Sequence, residues 1–271
     1  MKYTKNLSSC ILHVMKKSNN LFAEEFTLTV YSDKWTSEME FVYLISQKLK
    51  INFLWLRPIL KYRDQLPIKY KLRSEDTKNK FKIHTEFIKD WYSTPVMFNM
   101  LSKNVDKNTW VFRLDHDEII SEDSLKILLK SLPLLNRSFA YGIPRLWINK
   151  FDKSWFYSSV AATHSKKYDF INRLFTMRSA APSTHVHNGG VKQNKTREFE
   201  FDCFILHLIY LRENLESRIK KIVNYETLEP GSGHSKIRHY FPEIYPDTIW
   251  KLLPDSEIKL IRLFESSNKL F

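Results

Sequence analysis

An apolar, aromatic run that stops abruptly at three carboxylates constrains this chain more than any other feature: Trp110-Val-Phe-Arg-Leu-Asp115-His-Asp117-Glu118-Ile-Ile. Aromatic and branched residues from Trp110 to Leu114 predict a buried strand. Side chains alternate along an extended backbone, so Asp115 and Asp117 are expected to face one point at its carboxyl end. Mg²⁺ or Mn²⁺ is commonly held by one or two carboxylates plus substrate phosphates, which makes such a pair a candidate ion site. The competing reading is a strand that ends in a solvated acidic turn, with Ser121 and Glu122 or Asp123 opening a helix over Ser124 to Leu132.

Around this strand the pattern alternates. Cys10 to Met15 and Phe26 to Val30 read as the first two strands, followed by an amphipathic helix over Ser37 to Leu49 and a further strand over Ile51 to Leu56. The charged stretch Arg57 to Lys82, with Pro58 and Pro67, reads as a long irregular loop. Lys80 to Leu101 reads as helical, with a break near Pro95. Beyond residue 140 three candidate strands appear, Ala140 to Ile148, Trp155 to Ala162 and Phe170 to Met177. Asp202 to Leu211 opens as strand or helix, and a strong helix covers Leu215 to Leu228. Strand and helix in alternation predict an α/β domain with a mostly parallel central sheet. Residues 1–230 are expected to form it, and residues 231–271 to form a C-terminal helical appendage packed on it.

The chain has 271 residues, 43% hydrophobic and 14% aromatic, so it can bury a large core. Its five glycines leave little room for flexible linkers or glycine-rich phosphate loops, and one compact domain is favoured. Cys10 and Cys203 both lie in apolar runs and suggest no disulfide framework, which points to a reducing, cytoplasmic setting. No run approaches the length of a membrane-spanning helix. The net charge of +13 favours an anionic partner: a nucleotide diphosphate, an anionic membrane surface touched peripherally, or nucleic acid. The basic residues are spread along the chain rather than gathered in an arm, which argues against nucleic acid.

The strand ending in Asp-x-Asp-Glu, with Asn108-Thr-Trp-Val before it, resembles the metal-binding motif of glycosyltransferases with the GT-A fold, particularly family 2. Asn172-Arg173-Leu174-Phe175 followed by His185-Val-His187 is similar to the "Arg-x-Phe … His-Glu" region of lipopolysaccharide-core-type family 2 enzymes. Cys203-Phe-Ile-Leu-His207 with Leu215 to Tyr225 is similar to their "Leu-x-His … Lys-x-x-x-Tyr" ending. The three blocks keep their order over roughly residues 108 to 226. One departure is Asn188, where that subgroup has Glu. Asp33 resembles the nucleotide-contacting acid of "Asp-x-Ser-Thr-Asp", and equally reads as a residue preceding the helix at Ser37.

The resemblance implies a GT-A-like, Rossmann-like domain that moves a sugar from a nucleotide-diphosphate donor to a glycan, lipid-linked or protein acceptor. It implies Mn²⁺ or Mg²⁺ held by Asp115 and Asp117, with His187 and His207 as further ligands, and donor contacts from Asp33, Asp115 and Arg173. An inverting transfer needs a carboxylate base, for which Glu198, Glu200 and Asp202 are candidates. His185-x-His187 with His207 also suggests zinc, but the aspartates favour a harder ion. Two other classes remain: a catalytically inactive GT-A-like binding module, suggested by Asn188, and a metal-dependent nuclease, for which acid pairs and positive charge also suit.

Overall fold

The computed structural model describes residues 26–60, 82–88, 95–158, 169–183, 191–199, 201–228 and 250–268. The first expected strand, Cys10 to Met15, lies outside them.

Four parallel strands form one half of the fold. β1 (Phe26–Tyr31) lies between β2 (Asn52–Leu60) and β4 (Trp110–Leu114), and β3 (Lys82–Ile88) flanks β2. Their spatial order, 3-2-1-4, is the Rossmann-like arrangement, in which ligands bind beyond the carboxyl ends of the strands where the order reverses. Phe26, Leu28 and Val30 share a buried face with Phe112 and Leu114, while Leu54, Leu56 and Val111 face the other way, so these strands are buried on both sides. That is why their sequences are nearly continuous in apolar residues.

The connections are helices. α1 (Ser37–Lys48) starts at Thr36, whose side chain accepts the Met39 N–H, and it lays Met39, Val42, Tyr43 and Ile45 into the larger core. α2 (Val96–Asn104) covers the opposite face with Val96, Met97, Met100 and Leu101. The expectation of helix from Lys80 needs correction, because Lys82–Ile88 is an edge strand parallel to β2 and the helix begins only after Pro95. Ile83, Thr85, Phe87 and Ile88 are strand-forming residues, and Pro95 fits the first turn of a helix rather than its interior.

The second half of the sheet is antiparallel. β8 (Asp169–Thr176) pairs with β4 on one side and with β6 (Ala140–Phe151) on the other, and β7 (Ser154–Ser158) closes a hairpin on β6. Along β6 also run the short parallel strands β11 (Thr196–Glu198) and β12 (Ile205–His207). β5 (Glu118–Ile120), immediately after the acidic turn, pairs antiparallel with β12. A separate two-stranded sheet joins β9 (Ala180–Pro182) to β10 (Val191–Gln193).

The remaining described helices close the periphery. α3 (Glu122–Ser131) opens on Ser121, whose side chain accepts the Ser124 N–H, as the sequence predicts. α4 (Ile209–Arg212) and α5 (Leu215–Leu228) follow β12. The C-terminal segment is built into the same core: β13 (Lys251–Leu252) extends the sheet beside β7, and α6 (Asp255–Asn268) buries Leu260, Ile261 and Phe264. The Phe264 ring meets Phe41 of α1 edge-on at 5.6 Å. The fold is thus the expected α/β class, with its parallel half placing the acidic turn at the carboxyl end of β4. Among the described residues, no helix is long and apolar enough to cross a membrane.

Candidate functional site

Two loops meet beyond the carboxyl ends of β1 and β4. The first, residues 32–36, is shaped by short hydrogen bonds: the Ser32 carbonyl accepts the Trp55 indole N–H at 2.8 Å, and the Ser32 hydroxyl donates to the Lys34 carbonyl at 2.8 Å. Asp33 is half-buried there, and its carbonyl accepts from Arg57 Nε at 3.3 Å. Burial lowers the Arg57 guanidinium from its ordinary range, and Asp33 opposes that shift. Arg57 also lies over the Trp55 ring at 5.4 Å.

The second loop is the Asp115-His116-Asp117 turn, and its backbone is fixed at four groups. The Asp115 N–H donates to Glu118 Oε2 at 2.9 Å, and the Glu118 N–H returns to the Asp115 carbonyl at 3.2 Å. The His116 carbonyl accepts the Thr36 hydroxyl at 2.8 Å, and the Asp117 carbonyl accepts the Leu208 N–H at 2.9 Å. This turn breaks the extended path that period-two reasoning assumed. The two aspartates consequently have different partners.

Asp115 is held by Arg173, which projects from β8. Arg173 Nη1 donates to Asp115 Oδ1 at 3.1 Å and Nη2 to Oδ2, a two-pronged contact of the kind a planar guanidinium favours. The same Nη2 donates to Glu118 Oε1 at 2.7 Å, and Arg145 Nη1 from β6 approaches that oxygen at 3.5 Å. Arg113, one strand position before Leu114, stands 3.9 Å from Asp115. Burial opposes ionisation of Asp115, but Arg173 and Arg113 hold its carboxyl well below the usual range. Glu118 is fully buried, and burial raises its carboxyl above its ordinary value while Arg173 opposes the shift. Since both Glu118 oxygens face N–H donors, these contacts favour the carboxylate form. Burial, with Arg173 alongside, brings Arg113 down to about 10, still a cation at neutral pH.

Asp117 faces His207 on β12, with Oδ2 3.5 Å from Nε2 and both side chains buried. His207 Nδ1 is buried and has no hydrogen-bond partner among the described residues. Burial pushes the imidazole down to about 3 in spite of Asp117, so it is neutral at physiological pH and offers a lone pair. Burial also works against ionising Asp117, yet His207, Lys221 and His116 hold its carboxyl below the ordinary range. With His207 neutral, Lys221 of α5 supplies more of that pull. His207 packs against the Trp147 ring at 4.3 Å, and Arg145 covers the same indole at 4.6 Å.

Of the residues the sequence singles out, the structure therefore brings together Asp115 with Arg173, and Asp117 with His207. Asp33 sits on the adjoining loop. His187 and Glu200, like His185 and Asn188, lie outside the described residues. Glu198 aligns with Gly142 of β6, whereas His207 aligns with Trp147, five positions along the strand. At about 3.3 Å per residue, roughly 16 Å of strand separates their levels. Asp202 is exposed in the connection between β11 and β12. The expected gathering of Asp115, Asp117 and His207 around a single ion is not what is seen: among the described residues no three such side chains converge on one point. Arg173 engages Asp115, while Asp117 faces His207.

Sequence reasoning assigned no role to Glu118, Arg145, Trp147, Lys221 or Thr36. A signal existed for the arginines. Arg113, Arg145 and Arg173 each interrupt a strand-like apolar run, and a buried arginine has to find carboxylates.

No protein-family model matches the chain, and no curated protein does. Among solved structures, the S. aureus TarS 1-349 fragment in complex with UDP-GlcNAc superposes with a TM-score of 0.40 and 10% identity, covering 81% of this chain and 71% of that one. The same fragment in complex with UDP gives a TM-score of 0.41 and 9% identity over 81% and 70% of the two chains. Longer S. aureus TarS gives 0.38 and 10% identity, with 42% of its length covered. At these values the likeness is one of general outline, and the chemistry has to be read from the residues themselves.

Proposed function

We propose that this chain is a GT-A-like glycosyltransferase of the family 2 type that takes its sugar from a nucleotide-diphosphate donor. The observation that carries the reading is the pairing of two loops beyond the strand ends at the β1/β4 switch point, one bearing Asp33 and the other the fixed Asp115-His116-Asp117 turn. Asp33 and Arg57 would contact the nucleoside end. Asp115, kept ionised and oriented by Arg173, would contact the donor on the exposed side of its carboxylate, which is 40% accessible.

The residues fit a divalent ion at Asp117 and His207. A buried carboxylate and a neutral imidazole stand 3.5 Å apart, a separation one ion can bridge at bond lengths of about 2.1 Å. Asp117 and His207 would hold Mn²⁺ or Mg²⁺ directly, and Asp115 through water. When bound, the ion would neutralise charge that develops on the departing diphosphate.

The acceptor, a glycan, a lipid-linked species or a protein, and any peripheral contact with an anionic membrane belong to the same proposal. Glu198 aligns five strand positions from His207 and Asp202 is exposed, so a base drawn from either would act away from the Asp117–His207 pair. Isothermal titration of UDP, the nucleotide carried by one of the solved structures, tests the reading. The wild type should bind UDP more tightly with Mn²⁺ than in chelator. Asp117→Asn keeps the volume but removes the charge, and should abolish the gain from Mn²⁺ while changing binding in chelator little. Equal binding by both proteins in Mn²⁺ would refute the ion assignment.

A further inference from the structure

Thr36 lies eighty residues before the acidic turn, yet its hydroxyl serves both sides of the junction. It accepts the Met39 N–H at 3.3 Å, which starts α1, and donates its proton to the His116 carbonyl at 2.8 Å. The residue is 9% exposed, so water offers little replacement for either bond. An N-cap residue needs only the acceptor role. The donated proton is therefore spent on something other than the helix.

The other restraints on the turn come from the sheet around it: Glu118 holds both ends of Asp115, and Leu208 beyond β12 holds the Asp117 carbonyl. Thr36 reaches the turn from the opposite side, at the end of the loop that carries Asp33. The first turn of α1 has a second anchor besides Thr36, because the Glu38 carboxylate, which the Thr36 side chain also meets, pairs with Arg212 of α4. Removal of the Thr36 hydroxyl would thus leave the helix in place and free the turn to shift against the loop.

We infer that Thr36 is a positioning residue that fixes the spacing between the nucleoside-contacting loop and the diphosphate-contacting turn. The inference rests on the donor reading above and specifies how the two halves of that site are held in register. A ligand that touches both halves gains from their preset separation, because less ordering is left to occur on binding. One that touches mainly the loop gains little.

The experiment compares wild type with Thr36→Val, Thr36→Gly and Thr36→Ser. Valine keeps the shape and loses both hydrogen bonds; glycine loses the hydroxyl but remains an acceptable helix start; serine keeps the hydroxyl. Titrations use UDP with Mn²⁺ and UMP in chelator, alongside thermal melts. Affinity for UDP with Mn²⁺ should fall about fivefold to tenfold in the valine and glycine variants, as expected for one lost buried hydrogen bond. UMP binding should stay within about twofold, and serine should restore the UDP value. The inference is overturned if both variants bind UDP as the wild type does. It is equally overturned if UDP and UMP weaken in parallel, the mark of a merely structural cap. Absence of UDP binding by the wild type would instead remove the donor reading, and this inference with it.

Discussion

Replacing Arg173 by Met deletes the cation that Asp115 and Glu118 share while keeping an unbranched side chain of adaptable shape. The two acids then fare differently. Asp115 is 40% accessible and can recover water, but Glu118 is wholly buried and, among the described residues, retains the Asp115 N–H at 2.9 Å and Arg145 at 3.5 Å. Breaking a buried pair by removing one partner typically costs about 3–5 kcal/mol. Glu118 has one escape, which is to bind a proton. Keeping a carboxyl of ordinary pKa 4.5 protonated costs about 4 kcal/mol at pH 7.5 and about 1.4 kcal/mol at pH 5.5, at 1.36 kcal/mol per unit. That proton is held in the folded variant and not in its unfolded chain, so the variant gains stability as pH falls. In the wild type Asp115 is shifted the other way, and its contribution is complete above its ordinary 3.8 and lost only in stronger acid. With some relief from Arg145, the deficit should be about 3 kcal/mol at pH 7.5 and about 1 kcal/mol at pH 5.5. Urea unfolding followed by tryptophan fluorescence measures it at each pH. A deficit that does not change across this range, or one below about 1 kcal/mol at pH 7.5, would refute the shared-cation argument.

Three further predictions concern two other buried groups. His207→Gln should weaken Mn²⁺ binding while leaving the melting temperature in chelator nearly unchanged if the imidazole is a ligand, and a loss of stability without loss of Mn²⁺ affinity would return His207 to a structural role. The wild-type imidazole, pushed down to about 3, should also make the metal-free protein lose stability as pH falls from about 6.5 towards 3, and His207→Gln should blunt that loss. Cys203 is buried, and burial together with Glu257 raises its thiol far above the ordinary range, so iodoacetamide at pH 8 should leave it unmodified in the native protein and label it in urea; native labelling of the Cys203 peptide would contradict the packing.

What the sequence revealed and what it concealed divide along the range of the interactions. The strand at Trp110 and the helices over Ser37 to Leu49 and Leu215 to Leu228 are set by local periodicity, and the structure contains them within a residue or two. Local pattern hides β3, because Lys82–Ile88 follows a charged stretch and gains its strand pairing from β2, distant in sequence. β5 and β12 are three residues each and exist through pairing with one another and, for β12, with β6, which no short window can display. The acidic motif is legible in the sequence, but the direction of its carboxylates is not, since alternation holds only while the backbone stays extended. The turn at His116 is stabilised by Thr36 and Leu208, neither of which is near it in sequence. The same applies to charge. Arg173 meets Asp115 and Glu118 across 58 and 55 residues, so spacing could not reveal the pairs. Their chemistry still left a trace: three arginines inside apolar strand segments and three acids at one strand end are each costly to bury alone. A chain that places them in the same sheet must bring most of them into contact, which makes arginines within strand-like runs a usable sign of where an acidic site is anchored.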